Sequence, residues 1–358
     1  MKHAKLIVSI VVLAILIGLG VWAYYHVPFS FATFRSQLAL ADWTKIAIGT
    51  ACIYVGYVFR SLRWALFLKP TKRVGPFSLL GPQVIGFTAV ALLGRPADLV
   101  RPYLITRRTG LPLSSQFAVY IVERMFDLGS MTLIFSTAIL LAAHESLPHP
   151  ELLKTVAEGG LLVTAGLAAF TITVRLAGGA VAVTVEKALG VFSKPLGISV
   201  ASKIRTFREG LNTLKTTADL GLAILLSVAM WGLITVAYLE TTRAFVASPP
   251  LAQMTLAKCM LLMASSMLAS GVSLPVVGLF TQIGIVAAAM SKLFNVDAEP
   301  ATACAAMLLV VTFLSIVPVG LIWAWAGNVS LRRVAVESEH ASEEAQAEPV
   351  HAEEPSQA

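Results

Sequence analysis

Charge is what this sequence has least of. Only 13% of its 358 residues are Asp, Glu, Lys or Arg, and four runs hold none at all: Leu6–Tyr25, Leu220–Leu239, Cys259–Ser291 and Ala301–Ala326. Soluble domains are about a quarter charged. No stretch of about 100 residues of ordinary composition is left to fold in water, so a soluble two-domain enzyme and a nucleic-acid binder are both excluded. Cysteine is scarce too: Cys52, Cys259 and Cys304 are far apart, each inside an apolar run, which leaves no disulfide framework and no zinc spacing. The six histidines lie in loops or near the ends and form no metal-binding motif. A Gly-x-x-x-x-Gly-Lys-Ser/Thr loop is missing, so ATP is not a direct energy source. No metal, no cofactor and no catalytic residue is therefore expected. The five aspartates (Asp42, Asp98, Asp127, Asp219, Asp297) make no Asp-x-Asp pair, which argues against transfer from a nucleotide-sugar.

What is there is hydrocarbon. Hydrophobic residues make up 57% of the chain, and the mean hydropathy is +0.79. Crossing a ~30 Å hydrocarbon core takes ~20 helical residues. Spans are predicted at 6–25, 46–68, 116–142, 160–180, 220–240 and 301–326, the first a retained span and not a signal peptide, because no small-residue cleavage site follows it. The fold class is all-α, a polytopic membrane bundle of about six to eight transmembrane helices. Residues 1–333 hold all 27 Lys and Arg against 13 acids, a net of +14, whereas 334–358 hold seven Glu and no base. The chain thus divides into a membrane domain, 1–333, and an acidic tail, 334–358, too polar for a core and expected to be disordered in the cytoplasm. Lys and Arg crowd into 60–73 and 175–215, whereas 143–159 has three Glu and one Lys. The positive-inside rule puts the first two, and both termini, in the cytoplasm of a plasma or inner membrane. Residues 198–215 read as an interfacial amphipathic helix, with Ile198, Ile204 and Phe207 on its apolar face.

Two apolar segments do not fit whole spans. Only twelve residues separate Pro82 from Arg95, and they reach ~18 Å of the ~30 Å required. Cys259–Ser291 is too long for one span, too short for two, and interrupted at Pro275. Broken or re-entrant segments are therefore expected at 83–103 and 259–291, one entering from each side. Such a pair is the pattern of transporters built on inverted repeats, with Gly94, Pro96, Pro275, Gly278 and Gln282 as gating positions. Ordinary Pro/Gly kinking of membrane helices is the competing explanation.

Ionisable groups inside spans cost ~2.5–3.5 kcal/mol each at a helix centre, so those retained are informative. The densest set is Arg95, Asp98 and Arg101, followed by Glu123, Arg124 and Asp127. Glu123 and Asp127 share a helix face, and Arg124 can pair with Asp127. The surplus carboxylate needs a further cation, for which Arg95 and Arg101 are the candidates. A guanidinium grips a carboxylate or a phosphate bidentately. The same residues read as a latch holding the loop to the helix or as a phosphate site, and both roles can coexist. Arg60 and Arg63, near the end of their span, are expected to snorkel to lipid headgroups, with Trp64 as interface anchor.

These motifs carry a resemblance. Arg60-x-x-Arg63-Trp64, Gly94-Arg95-Pro96-Ala97-Asp98-Leu99-Val100-Arg101 and Glu123-Arg124-x-x-Asp127, with a Pro275/Gly278 turn before the last span, make the chain similar to the flippase-like transmembrane domain of lysylphosphatidylglycerol synthases and their stand-alone relatives. It covers essentially residues 5–326. The family's first loop usually places its Pro before the Gly-Arg pair, and Gln282 stands where an acid is usual, so the resemblance extends no proton-carrying acid to that position. It implies movement of an anionic phospholipid or polyprenyl-phosphate-linked lipid between leaflets. Arg95, Arg101, Arg124, Arg60 and Arg63 would bind the phosphate, and Asp98, Glu123 and Asp127 would support them. Membrane lipids are the expected partners, without nucleic acid. The soluble aminoacyl-transferase domain of full-length synthases is absent here, so the chain is expected not to make lysyl lipids. The alternative is a membrane-embedded component or scaffold of a lipid-modifying or glycosyltransferase system.

Overall fold

The computed structural model describes residues 30–142, 149–191, 193–211, 216–269 and 277–347. The predicted span 6–25 and the Pro275 turn lie outside the described residues, as do the side chains of Arg95 and Pro96. Among the described residues the fold is all-α, and six helices are long and apolar enough to cross a membrane. A short helix α1 (Phe31–Ala39) leads into α2 (Trp43–Leu68), which starts where the Asp42 carboxylate accepts from the amides of Thr44 at 3.0 Å and Lys45 at 3.4 Å. Then follow α3 (Pro76–Leu93), a 3-10 turn (Arg95–Leu99), α4 (Val100–Thr109) and α5 (Leu113–Leu141). Next come α6 (Pro150–Gly190), α7 (Lys194–Leu211) and α8 (Thr217–Arg243). The last group is α9 (Leu256–Ala269), α10 (Val277–Phe294), α11 (Ala298–Leu309), α12 (Ile316–Ala326) and α13 (Leu331–Ala347).

Polar contacts between chain-distant residues sort the helix ends into two levels. At one level Lys69, just past α2, pairs with Asp219 in the first turn of α8 at 2.9 Å, and Lys72 donates to the Thr109 carbonyl at 2.6 Å. At the other, the Asp42 amide donates to the Ala244 carbonyl at 2.8 Å and Arg243 to that of Met254 at 2.8 Å. The first level carries Lys69, Lys72, Arg73, Arg107 and Arg108 and is called the basic end.

This sorting explains the two broken segments. Helix α3 leaves the basic end and α4 returns to it, since Thr109 at the close of α4 meets the loop before α3. The break falls at Gly94, as the turn residues indicated, but the helix before it starts at Pro76 and not at Pro82. Gly94 has φ 84°, a backbone that side-chain-bearing residues rarely adopt, and its amide still bonds the Val90 carbonyl. Helix α3 runs through Pro82 because a proline near its start removes only the bond to Ser78 four residues earlier. Its 18 residues therefore extend ~27 Å, not the ~18 Å expected from the Pro82 boundary. The second pair, α9 and α10, belongs to the opposite end: Ala257 and Leu261 of α9 and Phe294 of α10 join one apolar cluster with Ile139 and Ala142 at the close of α5. Each hairpin thus returns to the side it came from. Between α11 and α12 the chain widens into a π turn at Val310–Leu314, where Pro318 cannot donate to Leu314; Tyr54 on α2 donates to the Ser315 carbonyl there at 2.9 Å.

Helix α7 is described as far as Leu211, and the rest of the predicted stretch to 215 lies outside the described residues. Its Ala201, Ile204 and Phe207 are buried in a cluster with Val174 and Ala182 of α6, and Phe207 stacks on Phe170 at 5.7 Å. Ile198, predicted for that face, is exposed. A larger correction concerns the tail. Residues 334–347, expected to be disordered, form most of α13, because Ala and Glu favour helix and a narrow stripe finds a groove. Val334 and Ser338 are buried, and Val334 packs with Ala97 and Val100 of the first hairpin. Glu337 accepts from Arg333 at 2.8 Å and from the Tyr103 hydroxyl at 3.0 Å, and those two donors hold its carboxyl below the usual carboxylate range.

Candidate functional site

The ionisable groups inside the bundle gather into one centre where α2, α4, α5 and α8 meet. Glu123 on α5 is fully buried and lies among four arginines. Arg101 Nη1 is 2.6 Å from its Oε2, Arg63 Nη2 is 2.9 Å from its Oε1, and Arg60 and Arg124 stand at 3.5 and 3.7 Å. One turn on, Asp127 meets Arg63 Nη2 at 2.8 Å and Arg60 Nη1 at 3.5 Å, and accepts from the Trp231 indole of α8 at 3.4 Å. Arg63 also donates to Ser227 Oγ on α8 at 2.6 Å. The carboxylates' partners come from α2, α4, α5 and α8, and the i,i+4 spacing of Glu123 and Asp127 is what lets the single Arg63 guanidinium bridge both.

Arg101 has the more unusual setting. It is 1% exposed, yet its partners leave much of its fork unused. Its Nη1 reaches Glu123 and, at 3.3 Å, Gln83 Oε1 of α3. Its Nε and Nη2, the Arg63 Nε, and the amide nitrogens of Gln83 and Gln116 have no hydrogen-bond partner among the described residues. Rings enclose the guanidinium: its Cζ lies 4.9 Å from the Phe87 centroid, 5.1 Å from Trp64 and 5.3 Å from Tyr120. Asp98, in the 3-10 turn, accepts from the Tyr120 hydroxyl at 2.5 Å. Four guanidinium charges thus face three carboxylates. The centre is net positive and rich in unspent donors, which is the chemistry of an anion site.

Gly86 makes this geometry possible. A Cβ at that position would lie 2.7 Å from the Arg101 Cβ and 3.0 Å from its Cα, so only glycine lets α3 and α4 close on each other beside the guanidinium. Gly86→Val is expected to pry the hairpin open and to cost about 1–3 kcal/mol, the range for overpacking. A thermal scan of the detergent-solubilised protein measures the loss, and an unchanged midpoint contradicts the contact.

Of the residues expected from sequence, the structure brings together Arg60, Arg63, Arg101, Glu123, Arg124 and Asp127, with Asp98 one ring away through Tyr120. Arg60 and Arg63 do not snorkel. Arg63 and Trp64 are each 1% exposed, because α5 offers carboxylates at their depth and Gln116 accepts from the Trp64 indole at 3.0 Å. Arg124 is the outermost member, with 40% of its side chain exposed. Gln282 and Gly278 lie on α10, and Gln282 donates to Ser266 of α9 at 2.6 Å, a bond that ties the second hairpin together. Gln83, Gln116, Tyr120, Ser227 and Trp231 were not predicted. Their periodic signal is that of ordinary span residues, and only the presence of buried charge opposite gives them a role.

Fold and site together define a polytopic helical membrane protein built around a buried arginine–carboxylate centre. The sequence model of the lysylphosphatidylglycerol synthase TM region matches residues 7–320, and the chain belongs to that family. No curated protein and no solved structure matches it.

Proposed function

We propose that the protein moves an anionic phospholipid, or a polyprenyl-phosphate-linked lipid, between the leaflets of the plasma or inner membrane, as a flippase or scramblase. One observation carries the reading: Arg101, buried among rings inside the bundle, keeps guanidinium donors that no group among the described residues uses. A headgroup phosphate loses its water on entering hydrocarbon, at a cost of several kcal/mol unless other donors replace it. Arg101, with Arg60, Arg63 and Arg124 around it, supplies such donors, while Glu123 and Asp127 hold the guanidiniums apart and in place. Arg95 belongs to the same loop and is assigned the approach to the site. The two hairpins, entering from opposite ends, provide the moving parts, with Gly94 and Pro96 in one and Pro275, Gly278 and Gln282 in the other. The chain makes and breaks no covalent bond in this scheme. By the positive-inside rule the basic end and the C-terminus face the cytoplasm. There a lipid-modifying enzyme is the natural partner.

Purified protein in liposomes, with fluorescent-headgroup phosphatidylglycerol or a polyprenyl phosphate and an impermeant quencher, tests this. Exchange between leaflets is expected to run at least about tenfold faster than in protein-free vesicles, a barrier change of roughly 1.4 kcal/mol. Equal rates for both lipids with and without protein overturn the reading.

A further inference from the structure

A second cavity lies at the basic end, outside the centre. It has a volume of about 550 Å³ and is bounded by the start of α3, the close of α4 and the turn after α12. Its walls are of two kinds. Phe77, Pro82, Leu104 and Trp323 are apolar; Arg107 and Arg108 are cationic, and Ser78 and Asn328 are neutral hydrogen-bonding groups beside them. None of Arg63, Arg101, Glu123 or Asp127 lines it. The two arginines are poorly neutralised. Arg107 Nη1 stands 3.9 Å from Glu337 on α13, beyond hydrogen-bond range, and Arg108 makes no ion pair among the described residues.

We infer that this cavity binds the phosphate headgroup and the adjoining acyl segment of an anionic phospholipid. The volume lies within the ordinary range for small-ligand sites, ~300–1,000 Å³. A free anion would use the arginines and leave the apolar wall without purpose, whereas a phospholipid carries both chemistries a few ångströms apart. Trp323 beside two guanidiniums is the combination found where a chain passes from hydrocarbon to headgroup depth. Glu337 offers a competing carboxylate to Arg107 from the docked C-terminal helix, at 3.9 Å. The assignment stands apart from lipid movement, since it requires binding alone.

Native mass spectrometry of the full chain in detergent, titrated with dioctanoyl phosphatidylglycerol, counts the bound lipids. Arg107→Gln/Arg108→Gln is expected to retain one fewer lipid than the wild type, with roughly tenfold weaker binding at that site. Glu337→Gln is expected to hold it a few-fold more tightly, and Lys292→Gln, an exposed position near the end of α10, to retain it, which separates this site from a general effect of basic charge. Dioctanoyl phosphatidylcholine, glycerol phosphate and inorganic phosphate are expected not to displace it at equal concentration. An unchanged lipid count in the double variant overturns the proposal. Displacement by inorganic phosphate alone overturns it too, and makes the cavity a free-anion site.

Discussion

Arg63→Met is expected to yield no monodisperse protein in detergent. The side chain is 1% exposed and is the one group within 3 Å of both Glu123 and Asp127. Its loss leaves two carboxylates buried with only Arg101 close and Arg60 at 3.5 Å. Removing one partner of a buried ion pair costs about 3–5 kcal/mol, a large share of the stability of an ordinary domain. The cost falls on Asp127 above all, whose other partners stand at 3.4 Å or beyond. Arg63→Met/Asp127→Asn, which removes a charge of each sign, should recover much of the loss, because Glu123 keeps Arg101 at 2.6 Å. Size-exclusion profiles and thermal midpoints of the single and double variants form a cycle whose coupling term measures the pair. A wild-type profile for Arg63→Met alone would show that the centre is wetter or more adaptable than its geometry indicates.

Arg101→Gln should behave in the opposite way, folding well and failing to transport. Glu123 retains Arg63 at 2.9 Å and Asp127 loses no close partner, so the stability loss is smaller than for Arg63. Transport loses the guanidinium with spare donors. A charge-assisted bond to a desolvated phosphate is worth more than a neutral one, about 1.5–3 kcal/mol each. Two such bonds translate into leaflet exchange slowed by roughly a hundredfold or more. Arg101→Lys should recover only part of the rate, since an ammonium restores the charge but not the planar fork or its stacking on Phe87 and Trp64. Exchange at the wild-type rate by a well-folded Arg101→Gln protein would remove Arg101 from the mechanism.

The architecture was legible where it depended on length and local spacing. Run length against bilayer thickness indicated the segment 259–291, Gly94 and Pro96 marked the turn of the first hairpin, and the Glu123/Asp127 spacing indicated a shared face. What failed did so for long-range reasons. Arg60 and Arg63 stand near a span end beside Lys69 and Lys72, and by local rules they reach for water. Only the docking of α5, some 60 residues later in sequence, turns them inward. Pro82 looked like a helix start, but its place in the chain told nothing of the residues from Pro76 onward that continue the helix on its other side. The tail looked too polar for order, and it is too polar to fold alone. Four apolar or small positions, Leu331, Val334, Ala335 and Ser338, meet a groove made by α3, α4 and the 3-10 turn, which no property of the tail itself discloses.

Hairpins that return to the side they entered do something that full crossings do not. Each brings helix ends, with their unpaired amides and carbonyls, to a depth where a bilayer otherwise holds only acyl chains. Helix α4, at 10 residues, reaches only ~15 Å. On the proposed function, a hairpin drawn in from each face would thin the electrically insulating layer beside the protein. The barrier that confines ions and headgroups is then set by the gap between two hairpins, a distance that sequence changes at their tips can lengthen or shorten.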